Sequence, residues 1–496
     1  MPSREAVINP QSSPPEITVF APAKINVILR ILDRRPDGFH NLWSIMQTVA
    51  LEDEVQIRLR SDRTEIELRC DATQLAADRS NLVYRAAAEV LGVGEWLVGR
   101  DTRESGPALE QALIDGLRSG GAEPLRTGVL PTPALAYLSA RHQAPAAMIT
   151  ASHNLFRDNG VKIFATGGQK LTDDIERALE SALALHPPML APTGPDLSLS
   201  TALDEYCDFV AHTYSPGSLH DLRVVLDCAN GAMYRAAPRV ISSLGADVTV
   251  INAEPDGRNI NDHCGATHPQ PLSAAVIEHQ ADIGLAFDGD GDRVIAVDEL
   301  GSIVDGDRML ALAALQLRDD GQLTNDTVVV TVMSNLGFHK AMHAAGINVV
   351  TTPVGDRSVL EALDAGDYAV GGEQSGHIIY RHLATTGDGL LAGLRLAAYV
   401  RSTGRSLSDL AGNVMTSYPQ VLVNVKVAER HPRVAAEMAD QIAAAESSLD
   451  GEGRILVRPS GTEPLIRVMV EAATHALAQT TADSLAAVVL ARFGGP

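Results

Sequence analysis

The segment ADIGLAFDGDGDRVIAVDELG (281–301) spaces three aspartates, Asp288, Asp290 and Asp292, with one glycine in each gap. In an extended chain alternate residues share a face, and Gly289 and Gly291 let the backbone curl until the three carboxylates converge. Oxygen-only ligands suit a hard divalent cation such as Mg2+. Two other readings fit the same residues. One is an acidic turn; the other is a calcium loop, which also uses D-x-D-x-D but needs a glutamate at its twelfth position, where Glu299 sits inside what reads as a strand. A second stretch, MITASHNLFRDNGVKIFATGG (148–168), runs an apolar strand into a polar loop at Ser152 and His153. A serine at a strand end can be a nucleophile or a phosphate carrier, or can cap the next helix. Lys162 could supply a proton or steady a phosphate, or be a solvated lysine on a strand edge.

Two further stretches carry polar groups in ordered rows. RPSGTEPLIRVMVEA (458–472) places Ser460, Gly461 and Thr462 in a turn flanked by Arg458 and Arg467. Hydroxyls, glycine-turn N–H groups and guanidinium forks are what a phosphate monoester needs, although an ordinary hairpin with exposed arginines would look the same. GGEQSGHII (371–379) puts Glu373, Ser375 and His377 on alternate positions, a row able to bond sugar hydroxyls.

The elements that must position these groups follow from the hydrophobic pattern. The opening is β-rich: ITVFAPAKINVILRIL (17–32) reads as strand broken at Ala-Pro-Ala, and LEDEVQIRLR and TEIELRC alternate polar with apolar residues. Beyond Asn81, helical segments alternate with strands: NLVYRAAAEVL, EWLVGRD, then ALEQALIDGLRSGGAEP with a glycine stop. The segments 221–251 and 326–356 share one layout of strand, polar loop, helix, glycine and strand, which suggests duplicated α/β domains built from parallel βαβ units. From Ser417 the chain returns to strands with helices between them, as a smaller α+β domain would.

The chain has 496 residues, enough for about three or four domains. A net charge of −22 makes nucleic acid and anionic membrane poor partners. Cys70, Cys207, Cys228 and Cys264 form no CxxC pair and read as buried thiols of a reducing compartment. With no apolar core in the first residues and no apolar run of about 20, the expected location is the cytoplasm.

In their order and separations the four polar stretches resemble the α-D-phosphohexomutase superfamily, over about residues 84 to 496. That family shows a T-A-S-H-N phosphoserine loop, a D-G-D-G-D-R metal loop, a G-E-x-S-G-H sugar loop and an R-x-S-G-T phosphate loop, one per domain. GEQSGH, VMSNLG and SGTEPLIRVMVE are most similar to its phosphoglucosamine mutase branch, with phosphomannomutases and phosphoglucomutases as alternatives. The resemblance implies an isomerase acting as an intramolecular phosphotransferase on hexosamine or hexose phosphates. It would interconvert glucosamine 6-phosphate and glucosamine 1-phosphate, a cell-wall precursor, through a bisphosphate. Ser152 would carry the phosphoryl group beside His153 and Lys162. Asp288, Asp290 and Asp292 would bind Mg2+ with a phosphoserine oxygen, next to Arg293. Glu373, Ser375 and His377 would read the sugar, and Arg458, Ser460, Gly461, Thr462 and Arg467 would hold the unreacting phosphate. Leu155 replaces a usual proline, and Pro353 a usual basic residue. The implied fold is α/β: three related α/β domains with mixed or parallel sheets over 92–197, 198–302 and 303–415, and an α+β domain over 416–496.

Residues 1–91 read differently. APAKIN (21–26), RRPDGFH (34–40) and DRSNLVYRAA (78–87) resemble the opening of the GHMP kinases that phosphorylate 4-diphosphocytidyl-2-C-methylerythritol. By that resemblance Lys24 would lie near the phosphoryl acceptor, and Phe39 and His40 would hold the cytidine ring. The glycine-rich ATP loop and catalytic aspartate of that family do not follow, and neither does the F-G-T-D-G-I-R-G opening of a mutase. The expectation is a β-rich kinase-like fragment fused to a nearly complete mutase whose activity is impaired.

Overall fold

The computed structural model describes residues 16–34, 40–58, 91–92, 94–172, 174–175, 179, 194–460 and 464–494. Gly461, Thr462, the segment TEIELRC and nearly all of the helix expected over 81–91 lie outside them. The chain divides into two compact units, Met1–Arg79 and Ser80–Pro496. In the first, β1 (Glu16–Arg34) pairs antiparallel with β2 (His40–Arg58). The strand expected to break at Ala-Pro-Ala continues instead, with a register shift between Pro22 and Lys24. A proline has no N–H for the ladder, and a shift of register accommodates it without ending the strand.

The second unit is built on three sheets that repeat one plan. The first contains β3 (Glu95–Arg100), β4 (Glu123–Val129), β5 (Ala146–Ile149), β6 (Val161–Ala165), β7 (Gln169–Lys170) and β8 (Leu197–Ser198), in the order β7-β6-β5-β3-β4-β8. The second contains β9 (Arg223–Asp227), β10 (Asp247–Ile251), β11 (Ile283–Phe287), β12 (Val294–Asp298) and β13 (Ile303–Val304), in the order β10-β9-β11-β12-β13. The third contains β14 (Thr327–Thr331), β15 (Asn348–Thr352), β16 (Val370–Gly372) and β17 (Ile378–Tyr380), in the order β15-β14-β16-β17. In each, three strands run parallel in the order second, first, third, and a fourth turns back antiparallel along the third. Helices cover both faces, so the central strands are apolar throughout; Trp96, Leu97 and Val98 of β3 and all of β11 are buried. The layout shared by the segments 221–251 and 326–356 is thus common to all three α/β domains, as the resemblance implies.

Local signals set the ends of the elements. The helix Gly106–Ser119 stops at Gly120 and Gly121, the latter at φ +86°, as its glycine pair predicts. Asp305, Asn335 and Asp388 accept first-turn N–H bonds of the helices Gly306–Asp319, Leu336–Ala344 and Gly389–Thr403.

The final domain is an antiparallel sheet, β18 (Gln420–Lys426), β19 (Gly453–Pro459) and β20 (Leu465–Ala472), in the order β18-β20-β19, backed by the helix His475–Phe493. Its core, around Val425, Val434, Ile466, Val468 and Val489, is separate from the large core of the α/β domains. Polar groups join the two bodies. Asn335 Nδ2 donates to the Tyr418 carbonyl at 2.9 Å, and the Tyr418 N–H returns a bond to Asn335 Oδ1 at 2.9 Å. Glu471 accepts the Leu336 N–H at 2.8 Å, and Arg454 bridges Glu471 and the Ser334 carbonyl. A Cβ on Gly337 would sit 1.8 Å from the Thr416 carbonyl oxygen, so only glycine fits at this seam.

Behind the clamp lies Asp307, fully buried, which accepts the Asn335 N–H at 2.8 Å. Burial pushes its carboxyl up to about 7, although the Asn335 bond acts the other way. An unfolded aspartate ionises near 3.9, so between about pH 4 and pH 7 the folded chain holds a proton that the unfolded chain has lost. Stability should therefore fall as pH rises through that window, by up to ~1.4 kcal/mol per pH unit from this group. Urea titrations from pH 5 to pH 8 should show Asp307→Asn with a flatter dependence than the parent chain; an unchanged slope would refute the assignment.

Candidate active site

The same loop of each repeat, between the third parallel strand and its antiparallel neighbour, carries one of the polar stretches. The β5–β6 loop holds Ser152, the β11–β12 loop holds Asp288, Asp290 and Asp292, and the β16–β17 loop holds Glu373, Ser375 and His377. These loops leave the carboxyl ends of parallel strands, where open α/β sheets present ligand sites.

The Ser152 hydroxyl donates to Asp288 Oδ2 at 2.7 Å and lies 3.4 Å from His153 Nδ1. Its backbone is left-handed, at φ +48°, a conformation that costs a non-glycine residue on the order of 1 kcal/mol. The aspartate loop is a tight turn, with the Gly291 N–H bonded to the Asp288 carbonyl at 3.0 Å and Gly291 at φ +74°. Curling therefore brings the carboxylates together, and one oxygen from each lies within 4.8 Å of the others. A Cβ on Gly289 would stand 2.7 Å from the Ser152 carbonyl oxygen, so the serine and aspartate loops pack backbone to backbone. Glu299, weighed as a calcium ligand, sits in the turn after β12 and accepts bonds from Ser408.

Lys162 is on β6, between β5 and β7, and reaches Asp290 Oδ2 at 2.7 Å and Asp292 Oδ2 at 2.9 Å. The solvated-edge reading of this lysine therefore fails. Burial lowers its tendency to hold a proton, but Asp290 and Asp292 outweigh that and keep it ammonium. Burial together with Asp292 and Asp290 pushes the Asp288 carboxyl well above its ordinary range. Asp292 is pushed up by burial as well, yet Lys162, His377 and Arg293 hold it well below. Burial and the nearby Arg293 lower the His153 imidazole, which is neutral at pH 7. Asp290 Oδ1 and Asp292 Oδ1 are buried and accept no hydrogen bond. Two buried orphan oxygens beside a third carboxylate, all hard donors, fit a divalent cation.

The other expected residues fall in two groups. Arg293, half-buried, shares the electrostatic field of Asp288, Asp292 and Glu373, and Glu373 accepts the Gly355 N–H at 3.1 Å. Ser375 is exposed. His377 is 2% exposed; its Nε2 accepts the Gly387 N–H at 3.1 Å and its Nδ1 faces Asp292 at 3.8 Å. Its neighbours are the aspartate loop and Asp356, not open solvent. Arg458 and Arg467 are cross-strand partners on β19 and β20, and the buried Arg467 Nε has no hydrogen bond. Burial and the facing Arg467 lower the affinity of Arg458 for its proton. Like charges set opposite each other destabilise a sheet unless an anion bridges them. Ser460 is buried beside them, its N–H bonded to the Leu465 carbonyl at 2.8 Å.

The sequence reading passed over Asp101, Arg103, Thr132, Thr150 and Asn261. Thr132 Oγ1 donates to Asp290 Oδ2 at 2.5 Å, and Asn261 Nδ2 donates to the Ser152 and Asn154 carbonyls, both at 2.9 Å. Arg103 spans Asp101 and the serine loop. The one signal in the sequence was the charge-dense RDTRE run directly after an apolar strand.

Repeated α/β domains that close three equivalent loops around an acidic cluster and a serine define a phosphohexomutase. Four family models bear this out: Phosphoglucomutase/phosphomannomutase alpha/beta/alpha domains I, II and III match residues 65–185, 204–301 and 305–418, and the C-terminal domain matches 422–488. The chain belongs to the phosphoglucosamine mutase family. It is 50% identical to the Rhodococcus jostii phosphoglucosamine mutase over 429 residues, covering 84% of this chain and 96% of that protein. To the Frankia alni protein of the same name it is 52% identical, over 81% of this chain and 89% of the other. A phosphoglucomutase/phosphomannomutase family protein from Burkholderia thailandensis superposes with a TM-score of 0.69 at 24% identity, over 85% of this chain and 94% of that one. The Aspergillus fumigatus N-acetylphosphoglucosamine mutase, solved with GlcNAc-6P and magnesium, gives 0.54 at 20%, over 72% and 92%. Among the described residues no helix is long and apolar enough to cross a membrane.

Removing the Lys162 ammonium leaves its carboxylate partners uncompensated. With its side chain 34% exposed, the cost discounted for solvent is about 2 kcal/mol. Lys162→Met should melt well below the parent in EDTA and gain more in Tm than the parent does when Mg2+ is added. Scanning calorimetry with and without the ion checks this; equal recovery in both proteins would contradict the cation site.

Proposed function

We propose that this enzyme interconverts glucosamine 6-phosphate and glucosamine 1-phosphate through a phosphorylated Ser152 and a bisphosphate intermediate. The observation that carries the reading is the Ser152 hydroxyl 2.7 Å from Asp288, inside a buried aspartate cluster, in a chain half identical to phosphoglucosamine mutases. In the forward direction phosphoserine gives its phosphoryl group to the free hydroxyl of the sugar phosphate: the P–O bond to Ser152 breaks, the serine oxygen leaves as a hydroxyl on taking up a proton, and the proton of the sugar hydroxyl passes to a base. The neutral imidazole of His153 is suited to take it. The bisphosphate turns over and returns its other phosphoryl group to Ser152 Oγ. Lys162, held as ammonium, offsets charge beside the transferring group. Asp288, Asp290 and Asp292 would hold Mg2+, which supplies Lewis-acid neutralisation of phosphoryl charge when bound. Arg458, Ser460 and Arg467, with Gly461 and Thr462, hold the phosphate that does not react; Glu373 and Ser375 read the sugar, with His377 behind the metal loop.

The same reading keeps the domain limits at 92–197, 198–302, 303–415 and 416–496, and takes residues 1–91 as a kinase-like fragment on the strength of APAKIN and RRPDGFH, although the domain I model already matches from residue 65. A cytoplasmic site of action fits the free, buried thiols of Cys207, Cys228 and Cys264.

Intact-mass analysis of the purified chain treated with a hexose 1,6-bisphosphate should find one phosphoryl group, lost in Ser152→Ala. Asp290→Ala should lower kcat by about 10²–10³-fold without unfolding the protein. Activity retained in Ser152→Ala would sink the phosphoserine assignment. A tenfold higher kcat/KM for mannose or glucose 6-phosphate than for glucosamine 6-phosphate would move the substrate to those sugars. Equilibrium dialysis against ATP should find no site with Kd below about 1 mM; tighter binding would restore a kinase function to the first residues.

A further inference from the structure

Arg103 is fully buried, and all five of its guanidinium N–H groups are committed. Nε donates to Asp101 Oδ2 at 2.8 Å. Nη2 donates to the carbonyls of Ser152 at 3.0 Å and Asn154 at 2.8 Å, and Nη1 to those of Asp158 at 3.0 Å and Leu155. Four of the five donors thus enter one short loop. Most of that loop has no packing of its own, since His153, Asn154, Leu155, Arg157 and Asp158 are exposed. The arginine fills the place of a core beneath it.

The partner Asp101 extends the device to the other side of the serine. Its Oδ2 accepts the Thr150 hydroxyl at 2.8 Å, and Thr150 Oγ1 accepts the Ser152 N–H at 2.9 Å. Asn261 adds a second donor to the Ser152 and Asn154 carbonyls. Both backbone polar groups of Ser152 are therefore fixed by side chains that trace back to the Asp101–Arg103 pair. The left-handed conformation of Ser152 needs such over-determination to persist. Four of its bonds hold the loop that carries Ser152.

We propose that Arg103 is a positioning residue for phosphoryl transfer, fixing the backbone of Ser152 so that its oxygen meets the sugar in line. The inference rests on the reading of Ser152 as phosphate carrier and adds a determinant of its rate. Displacement of a reacting group by about 1 Å costs on the order of 10²-fold in rate, and the sugar phosphate is gripped by other loops. Loss of Arg103 should therefore appear in kcat and leave KM alone.

Arg103→Lys keeps the charge but has three donors and no planar fork. The expected result is a folded protein whose kcat falls about 100-fold, with KM for glucosamine 6-phosphate within about threefold of the parent. Phosphorylation of Ser152 by the bisphosphate should slow in proportion, while calorimetric affinity for the sugar phosphate is unchanged. A folded Arg103→Lys with kcat within threefold, or one whose losses track its unfolded fraction across temperature, overturns the proposal. Should that variant fail to fold, Thr150→Val decides. It removes the acceptor of the Ser152 N–H with little change of shape, and should lower kcat about tenfold at constant KM; a change under twofold overturns the proposal. A parent enzyme that never phosphorylates Ser152 would instead bring down the mutase reading itself, a result visible before any Arg103 variant is made.

Discussion

Three carboxylates confined to one buried turn repel one another, and the surrounding structure answers that repulsion. Lys162 crosses from the first domain to bind two of them, Ser152 and Thr132 donate to the cluster from the same domain, and Arg293 and His377 face it from other sides. Even so, Asp290 Oδ1 and Asp292 Oδ1 accept no hydrogen bond. A fold that keeps an acidic cluster under-compensated stores affinity for a cation and for whatever cationic surroundings a phosphate needs.

That arrangement depends on the repeated sheet. Because the loop between the third and fourth strands leaves each domain at the same place, three copies of one architecture deliver serine, aspartates and the GEQSGH row without any long excursion of the chain. The apolar strands are buried on both faces and tolerate little shift of register. The close backbone contact at Gly289 shows how tightly the first two loops are fitted.

Much of this was legible in the sequence because chemistry concentrates in short runs. D-G-D-G-D needs only its own glycines to curl, and the strand before Ser152 announces itself by Ala146–Ile149. The repeats in 221–251 and 326–356 were visible in their alternation of strand and helix, and the same alternation begins in the first domain with EWLVGRD and ALEQALIDGLRSGGAEP. Arg103, Thr132 and Asn261 escaped because their roles are long-range: each is one polar residue in a loop or helix start, and only the fold shows what it bonds. His377 lies on alternate positions with Glu373 and Ser375, as read, but the tight turn at Gly376, φ +87°, sends it inward. Spacing gives neighbours along a strand and cannot foresee a turn that rotates one of them.

A turn of the final domain would take the seam at Asn335 as its fulcrum. A final domain with a core of its own can turn as a rigid body while both cores stay packed, and only a handful of hydrogen bonds must adjust. Arg454 lies in the seam, and Arg458 is farther along the same strand, about 13 Å away at ~3.3 Å per residue. A swing of about 10° at the fulcrum then carries the Arg458 guanidinium through roughly 2 Å by that leverage. A displacement of that size is enough to make or break a hydrogen bond, and neither sheet would have to be broken to produce it.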